Sequence, residues 1–216
     1  MTQFPSELLS GYSRFRTGSY LDDRERFEQL AETGQNPSVM MIGCCDSRSA
    51  PEMIFNASPG ELFVVRNVAN LVPEYGPNDG FHSTSAALEF AVLALGVAHV
   101  VVMGHWKCGG ISAALDPDME PLSDDNFIGN WKEIVRPTAE KIANNETISA
   151  EEKQIALERA SIRKSVENLR TYPFVADLEK RGKLELHGAW FDISTGELLV
   201  MDSNTGTFNK VPDGAV

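Results

Sequence analysis

Three short apolar runs interrupt an otherwise mixed pattern of hydrophobic and polar residues. They read SVMMIGC (38–44), ELFVVRN (61–67) and AHVVVMGH (98–105). Continuous apolar runs of this length are typical of strands that are buried on both faces of a parallel sheet. The Ala- and Leu-rich segment 83–97 lies between the second and third runs and predicts a crossover helix with Ser83 or Thr84 as its N-cap. The pattern therefore predicts a β-α-β unit.

Apolar residues recur at helical spacing in three other parts of the chain. Residues 1–33 predict two helices separated by glycine-containing breaks, and this arm either packs on its own domain or reaches over a partner subunit. Segments 127–144 and 151–170 also predict helices. The alternating charges of the second segment predict a solvated helix face.

The last part of the chain contains two β-like runs, within 183–202, on either side of Ser194-Thr195-Gly196, and these predict a hairpin. Together the elements predict a single α/β domain over residues 1–216. Its central sheet is expected to be mainly parallel and flanked by helices, with an N-terminal helical arm and an antiparallel C-terminal edge.

Composition narrows the class of protein. The chain is 42% hydrophobic and 23% charged, which is ordinary for a globular domain, and its formal net charge is -12. An acidic chain is a poor match for nucleic acid, because its binders concentrate Lys and Arg. We find no secretory signal pattern and no apolar run near the roughly 20 residues that cross a bilayer. We therefore expect a cytoplasmic protein with no membrane or nucleic-acid partner.

Cysteine and histidine residues gather at two predicted strand ends. Cys44 ends the first strand, and His105 ends the third, with Cys108 three residues further on. Carboxyl ends of parallel strands meet at one edge of a sheet, so these side chains are expected to converge. Cys and His are preferred zinc ligands, and three protein ligands with an open position are the catalytic pattern. The fourth position would be taken by water or by Asp46 in a closed form.

Asp46 and Arg48 are two residues apart in the stretch CCDSR and can form a bidentate ion pair. Such a pair would hold the carboxylate away from the metal. A simpler explanation of Cys44 alone is a small buried apolar residue, and His105-x-x-Cys108 is weak by itself. The two motifs together, in this order and at two strand ends, favour a metal site.

These motifs resemble those of the β-class carbonic anhydrases, whose signature is Cys-x-Asp-x-Arg followed by His-x-x-Cys. Here they read CCDSR and HWKCGG, and the resemblance covers roughly residues 30–202. It implies that Cys44, His105 and Cys108 bind one zinc per chain. It also implies that Asp46 and Arg48 are the catalytic dyad that orients the zinc-bound hydroxide.

Further positions resemble the plant-like branch of that family. The branch that is switched by bicarbonate carries Trp where this chain has Met41, and Val where it has Ser49. We therefore expect no bicarbonate switch. The resemblance implies a substrate pocket of Gln35, Phe63, Val68 and Phe90. Phe90 replaces the Tyr of the plant pattern, so no hydroxyl is expected there.

The resemblance implies reversible hydration of carbon dioxide to bicarbonate and a proton. It also implies a homodimer or homotetramer in which Gln35 and Phe90 come from the neighbouring subunit. Two alternatives remain: hydrolysis of carbonyl sulfide or carbon disulfide at the same zinc, and a non-catalytic zinc or redox-sensing protein, suggested by the adjacent Cys44 and Cys45. The sequence does not identify the proton shuttle: His82, at the head of the crossover helix, is a candidate, but a capping or structural role is favoured for it, as for His99 and His187.

Overall fold

The computed structural model describes residues 4–76, 82–212 and 214, and its centre is a six-stranded sheet in the order β2-β1-β3-β4-β5-β6. Strands β1 to β4 are mutually parallel, and β5 and β6 run antiparallel to their neighbours. The strands are β1 Val39–Cys44, β2 Leu62–Asn67, β3 His99–His105, β4 Glu185–Phe191, β5 Leu198–Met201 and β6 Phe208–Lys210. The predicted mixed α/β sheet is confirmed.

Helices precede the sheet and flank it. They are α1 Ser6–Thr17, α2 Ser19–Asp22, α3 Arg24–Thr33, α4 Pro51–Ile54, α5 Ser83–Glu89, α6 Gly109–Leu115, α7 Phe127–Lys132, α8 Arg136–Ala143, α9 Ala150–Leu169 and α10 Pro173–Lys180. A 3₁₀ turn, Val68–Asn70, follows β2, and a π-helical turn, Phe90–Leu95, continues α5. Within the described residues, no helix is long and apolar enough to span a membrane.

The N-terminal arm contains three helical segments where the sequence predicted two. Gly18 and Asp23 separate the segments, and none of the three buries a residue. Arg26 of α3 donates a hydrogen bond to the carbonyl of Pro59 at 2.6 Å, which ties the end of the arm to the loop before β2. Large apolar side chains of α1, among them Leu8 and Tyr12, are exposed.

The crossover helix begins at Ser83, but its N-cap position is held by His82, so the predicted caps Ser83 and Thr84 were wrong. Thr84 is buried, and its hydroxyl accepts a hydrogen bond from Asn67 at the end of β2. Its oxygen therefore serves the turn after β2 instead of the helix. This contact fixes the start of α5 beside the carboxyl edge of the sheet.

Of the two later segments that were predicted to be helical, one is divided into two helices and the other is continuous. The segment 127–144 is divided into α7 and α8. The segment 151–170 is one helix, α9, which begins with a capping box between Ser149 and Glu152. The predicted hairpin is confirmed as β4 and β5, but it gains the short strand β6, which the sequence pattern did not indicate.

Helix α9 packs closely on β3 and β4 because glycines there leave room for it. A Cβ at Gly104 or Gly188 would lie within 2.9 Å of the side chain of Ile162. The main core lies on this side of the sheet and includes Ile42, Val102 and Leu88 as well as Ile162. Glu158 lies one turn before Ile162, so the same packing brings it to the carboxyl edge.

Candidate metal centre

The three predicted metal ligands converge at the carboxyl edge of the sheet. Cys44 is the last residue of β1, His105 is the last of β3, and Cys108 is the N-cap of α6. Their exposures are 4%, 1% and 1%, and their ligand atoms lie within 4.8 Å of one another. The two sulfur atoms are 3.8 Å apart. A tetrahedral zinc with Zn–S bonds near 2.3 Å separates two sulfurs by about 3.8 Å, so this spacing fits zinc.

His105 presents one ring nitrogen to the two thiols. Its Nδ1 lies 2.9 Å from the carbonyl oxygen of Trp106, which can accept only from a protonated nitrogen. The proton therefore belongs on Nδ1, and the lone pair is on Nε2. This Nε2 is buried and has no hydrogen-bond partner among the described residues. A buried, unpaired lone pair beside two thiols is the arrangement that a metal ion completes.

A strained turn brings His105 and Cys108 to the same point. Lys107 has a φ of 54°, in the left-handed region that non-glycine residues rarely adopt. Its carbonyl accepts a hydrogen bond from Arg48 at 3.2 Å. The chain thus reverses between β3 and α6 within two residues, and both side chains face the end of β1.

The thiols of Cys44 and Cys108 share a hydrogen bond, which affects their protonation in opposite directions. This contact lowers the pKa of Cys44 and raises that of Cys108. Without a cation, one thiolate is thus favoured over two, because two adjacent negative charges repel each other. A divalent ion would remove that penalty and bind both thiolates.

Asp46 is held beside the ligands by Arg48. The guanidinium Nε lies 2.9 Å from Oδ1 and Nη2 lies 2.7 Å from Oδ2, which is the predicted bidentate pair. The Arg48 amide also donates to Oδ1. These hydrogen bonds lower the pKa of Asp46 well below its usual range. Oδ2 lies 3.9 Å from Nε2 of His105, so the carboxylate borders the metal position while its oxygens pair with Arg48.

Arg66 supports the same loop from β2. Its Nε donates to the carbonyl of Cys44 at 2.7 Å, and its Nη2 donates to the carbonyl of Asp46 at 2.6 Å. In the structure it fixes the backbone on both sides of Cys45.

Glu158 is the functional-site neighbour that the sequence analysis missed. It was assigned to a solvated helix face, but it is 1% exposed. Its Oε1 accepts from the Cys108 amide at 3.0 Å and from Gln154 at 2.7 Å, and its Oε2 accepts from the Trp190 indole at 2.9 Å. Burial raises the pKa of Glu158, and the three donors oppose that shift.

The spacing of α9 contained a signal for Glu158. Glu158, Ser161, Ile162 and Ser165 are all buried: Ser161 and Ile162 lie three and four residues after Glu158, and Ser165 lies three residues after Ile162. Those intervals define one face of a helix. A carboxylate on the same stripe as Ile162 indicates a buried acid that needs partners, whatever the charge of the surrounding sequence.

Two of the four predicted pocket residues meet in the structure. The rings of Phe63 and Phe90 lie 5.8 Å apart, and Phe90 is 50% exposed. Val68 lies over the start of α6, where a Cβ at Gly110 would come within 2.7 Å of its Cγ1. Gln35 is exposed in the segment after α3. Its predicted place in the pocket stays a prediction.

The fold and the site together define an α/β protein with a buried Cys-His-Cys group, which could hold a metal ion, at the carboxyl edge of a parallel sheet. The family model for carbonic anhydrase matches residues 39–198. This chain therefore belongs to the carbonic anhydrase family, and the relatives described next place it in the β class.

The chain is similar to two carbonic anhydrases, and the matched region covers a different share of each. It is 37% identical to the mitochondrial β carbonic anhydrase 6 of Arabidopsis thaliana over 88% of this chain and 65% of the relative, slightly under two thirds of its length. It is 35% identical to a carbonic anhydrase of Pseudomonas aeruginosa over 94% of this chain and 90% of that protein. The shared region thus includes almost all of the present chain in both cases.

Solved structures show the same fold. The β-carbonic anhydrase CcaA superposes with a TM-score of 0.87 at 31% identity, over 96% of this chain and 92% of that one. A tetrameric β-carbonic anhydrase of Sordaria macrospora superposes with a TM-score of 0.76 at 29% identity, over 90% of this chain and 95% of the other.

Proposed function

We propose that this chain interconverts carbon dioxide and bicarbonate at a zinc ion bound by Cys44, His105 and Cys108. The observation that carries the proposal is the buried triangle of two thiols and one unpaired imidazole nitrogen beside an Arg-anchored carboxylate. When bound, zinc would act as a Lewis acid that lowers the pKa of water to about 7 and so supplies a nucleophile at neutral pH.

The proposed role of Asp46 follows from its contacts. Arg48 binds both carboxylate oxygens, so the side chain is held in one rotamer. Oδ1 already accepts from both the Nε and the amide of Arg48, whereas Oδ2 accepts only from Nη2 and keeps a lone pair that can accept a hydrogen from the attacking water. Asp46 would thus turn the water lone pair toward the substrate carbon, and Arg48 would prevent the carboxylate from moving onto the metal.

The proposed substrate pocket is apolar, which suits an uncharged linear molecule. Phe63 and Phe90, whose rings adjoin within one chain, provide aromatic surfaces, Phe90 being proposed to face the neighbouring subunit's site, and Val68 lies next to the helix that follows Cys108. Gln35 would donate a hydrogen bond to a substrate oxygen. Phe90 has no hydroxyl, so it would contribute contact and water exclusion only.

A homodimer or homotetramer is proposed as the working form. Exposed apolar side chains of the arm, including Phe4, Leu8, Tyr12 and Phe15, recur at helical spacing and would be covered by a second copy. The Sordaria macrospora relative is described as tetrameric. In such an assembly Gln35 and Phe90 would reach the neighbour's site. Sedimentation of the wild type and of Leu8→Asp would test this, because the variant should shift toward monomer.

The chain is further proposed to lack a bicarbonate switch and to work in the cytoplasm. Met41 is buried on the sheet, and Ser49 is buried with its hydroxyl on the carbonyl of Asp46. Free thiols as metal ligands suit a reducing compartment. Sigmoidal inhibition by bicarbonate would contradict the first proposal, and recovery of the protein from an oxidising compartment would contradict the second.

The deciding experiment is stopped-flow hydration of carbon dioxide, with zinc content measured in the same sample. Wild type should contain about one zinc per chain and hydrate rapidly. Asp46→Asn should keep the zinc and lose about 10²-fold or more in rate, the scale of a positioned proton acceptor. Zinc at this level with hydrolysis of carbonyl sulfide and no hydration would contradict the proposed substrate.

A further inference from the structure

A second group of metal-ligating side chains lies at the other end of β3. His99 begins β3, and Glu185 and His187 lie on the adjoining strand β4. The parallel register pairs His99 with Glu185. Residues two apart on a strand point to the same face, so Glu185 and His187 both lie beside His99. None of the three takes part in the site described above.

The three donor atoms form a triangle of the size that a small metal ion requires. His99 Nδ1 lies 3.2 Å from His187 Nε2. Glu185 Oε2 lies 3.6 Å from each of these nitrogens. A point equidistant from all three atoms lies about 2.0 Å from each, which matches the bond lengths of zinc to imidazole and carboxylate.

The donors are accessible and suited to binding a cation. The side chains of His99, Glu185 and His187 are 36%, 67% and 37% exposed. Two imidazoles with one carboxylate are ligands that zinc, copper and nickel accept.

We propose that His99, Glu185 and His187 form an accessory binding site for a divalent transition-metal ion such as Zn²⁺. The site is separate from the Cys-His-Cys centre, which lies at the opposite end of the same strand. Three protein ligands leave the ion an open position toward solvent. The sequence analysis assigned His99 and His187 structural roles, and this proposal replaces that assignment.

The simpler explanation is a hydrogen bond between two imidazoles with a nearby carboxylate. One ring proton satisfies the contact of Nδ1 with Nε2, and a protonated ring would attract Glu185. Both explanations use the same atoms, so the test must count metal ions and not only record the effect of a substitution.

The test is calorimetric titration of Zn²⁺ into purified protein that retains its first, chelator-resistant equivalent. Wild type should bind one additional equivalent. His187→Gln and Glu185→Gln should each weaken that equivalent by more than about 100-fold, since loss of a ligand exceeds the 10–100-fold effect of an outer contact. His82→Gln removes an imidazole outside the group and should leave both equivalents unchanged.

A spectrum provides the second readout. Cu²⁺ added at one equivalent should show coupling to two imidazole nitrogens, and each single histidine variant, His99→Gln or His187→Gln, should show coupling to one. Variants that keep the first zinc equivalent and the wild-type circular dichroism are folded. The proposal is overturned if wild type saturates at one zinc, or if the second equivalent binds His187→Gln as tightly as it binds wild type.

Discussion

Strand β3 has a histidine at each end, and the surroundings of the two differ in the properties that govern metal binding. His105 is buried, and its Nδ1 is fixed by a backbone carbonyl. His99 is partly exposed, and its Nδ1 contacts other side chains. The donor triangle is well formed at both ends. The comparison shows that donor geometry alone does not distinguish the proposed catalytic centre from the proposed accessory site.

What distinguishes the two ends is the layer of residues behind the ligands. At the carboxyl edge Arg66 fixes the Cys44 carbonyl, and Glu158 fixes the Cys108 amide. At the amino edge the three proposed ligands extend directly from strands β3 and β4, and Glu185 is largely exposed. Ordering such side chains costs conformational entropy when a metal binds. We therefore expect tight binding at the buried end and exchangeable binding at the exposed end.

The largest effect is expected from removal of a buried ligand. Cys108→Ser should reduce zinc from about one per chain to below about a tenth, and hydration should fall by roughly 10³-fold or more because the nucleophile is lost. Cys45→Ser is the matched control, since Cys45 is exposed and outside the ligand group. Metal analysis and stopped-flow rates measure both. If Cys45→Ser alone abolished function, the redox-sensing alternative would be favoured.

Removal of the support behind Cys108 should come next. Glu158→Ala leaves the Cys108 amide and the Trp190 indole without their acceptor in a buried site. The free energy of unfolding should fall by about 3 kcal/mol. Glu167→Ala changes an exposed acid of the same helix and should stay within about 0.5 kcal/mol. Urea denaturation would measure both, and equal losses would contradict a supporting role for Glu158.

A smaller effect is expected from the residue that positions Asp46. Arg48→Ala should keep its zinc and lose about 10–100-fold in kcat/KM, since it removes an outer contact and not a ligand. Arg24→Ala removes an exposed arginine that pairs with Glu28 on the arm and is the control. Steady-state hydration rates and metal content, measured for both variants and the wild type, would test this prediction. Loss of zinc from Arg48→Ala would show that Arg48 maintains the metal site itself.

The smallest effect is expected at the exposed end when no metal is added. His187→Gln should change the free energy of unfolding by less than about 0.5 kcal/mol, because a partly exposed side chain is replaced by another polar one. With Zn²⁺ at 100 times its dissociation constant, wild type should gain about 2.7 kcal/mol over this variant. Denaturation with and without the ion measures the difference. A large loss without metal would mean that the triad is structural.

The local sequence pattern correctly predicted the parallel strands β1, β2 and β3, but it predicted neither the short strand β6 nor the partner of Thr84. The three apolar runs became β1, β2 and β3 because continuous apolar sequence needs two covered faces. Strand β6 has only three residues and owes its place to pairing with β5. The hydroxyl of Thr84 was assigned to its own helix, but a partner 17 residues earlier uses it. Such choices depend on contacts that no short window contains.

The sequence by itself determined which residues form the candidate metal centre and the Asp46–Arg48 pair beside it. Asp46 with Arg48, and His105 with Cys108, lie within one turn of chain, so their spacing alone limits where the side chains can reach. Only the tertiary structure placed Glu158, 50 residues from Cys108, behind the ligands. Only the tertiary structure brought His99 to His187, 88 residues away. Short spacing limits geometry through covalent bonds, whereas distant residues meet only when strands and helices pack.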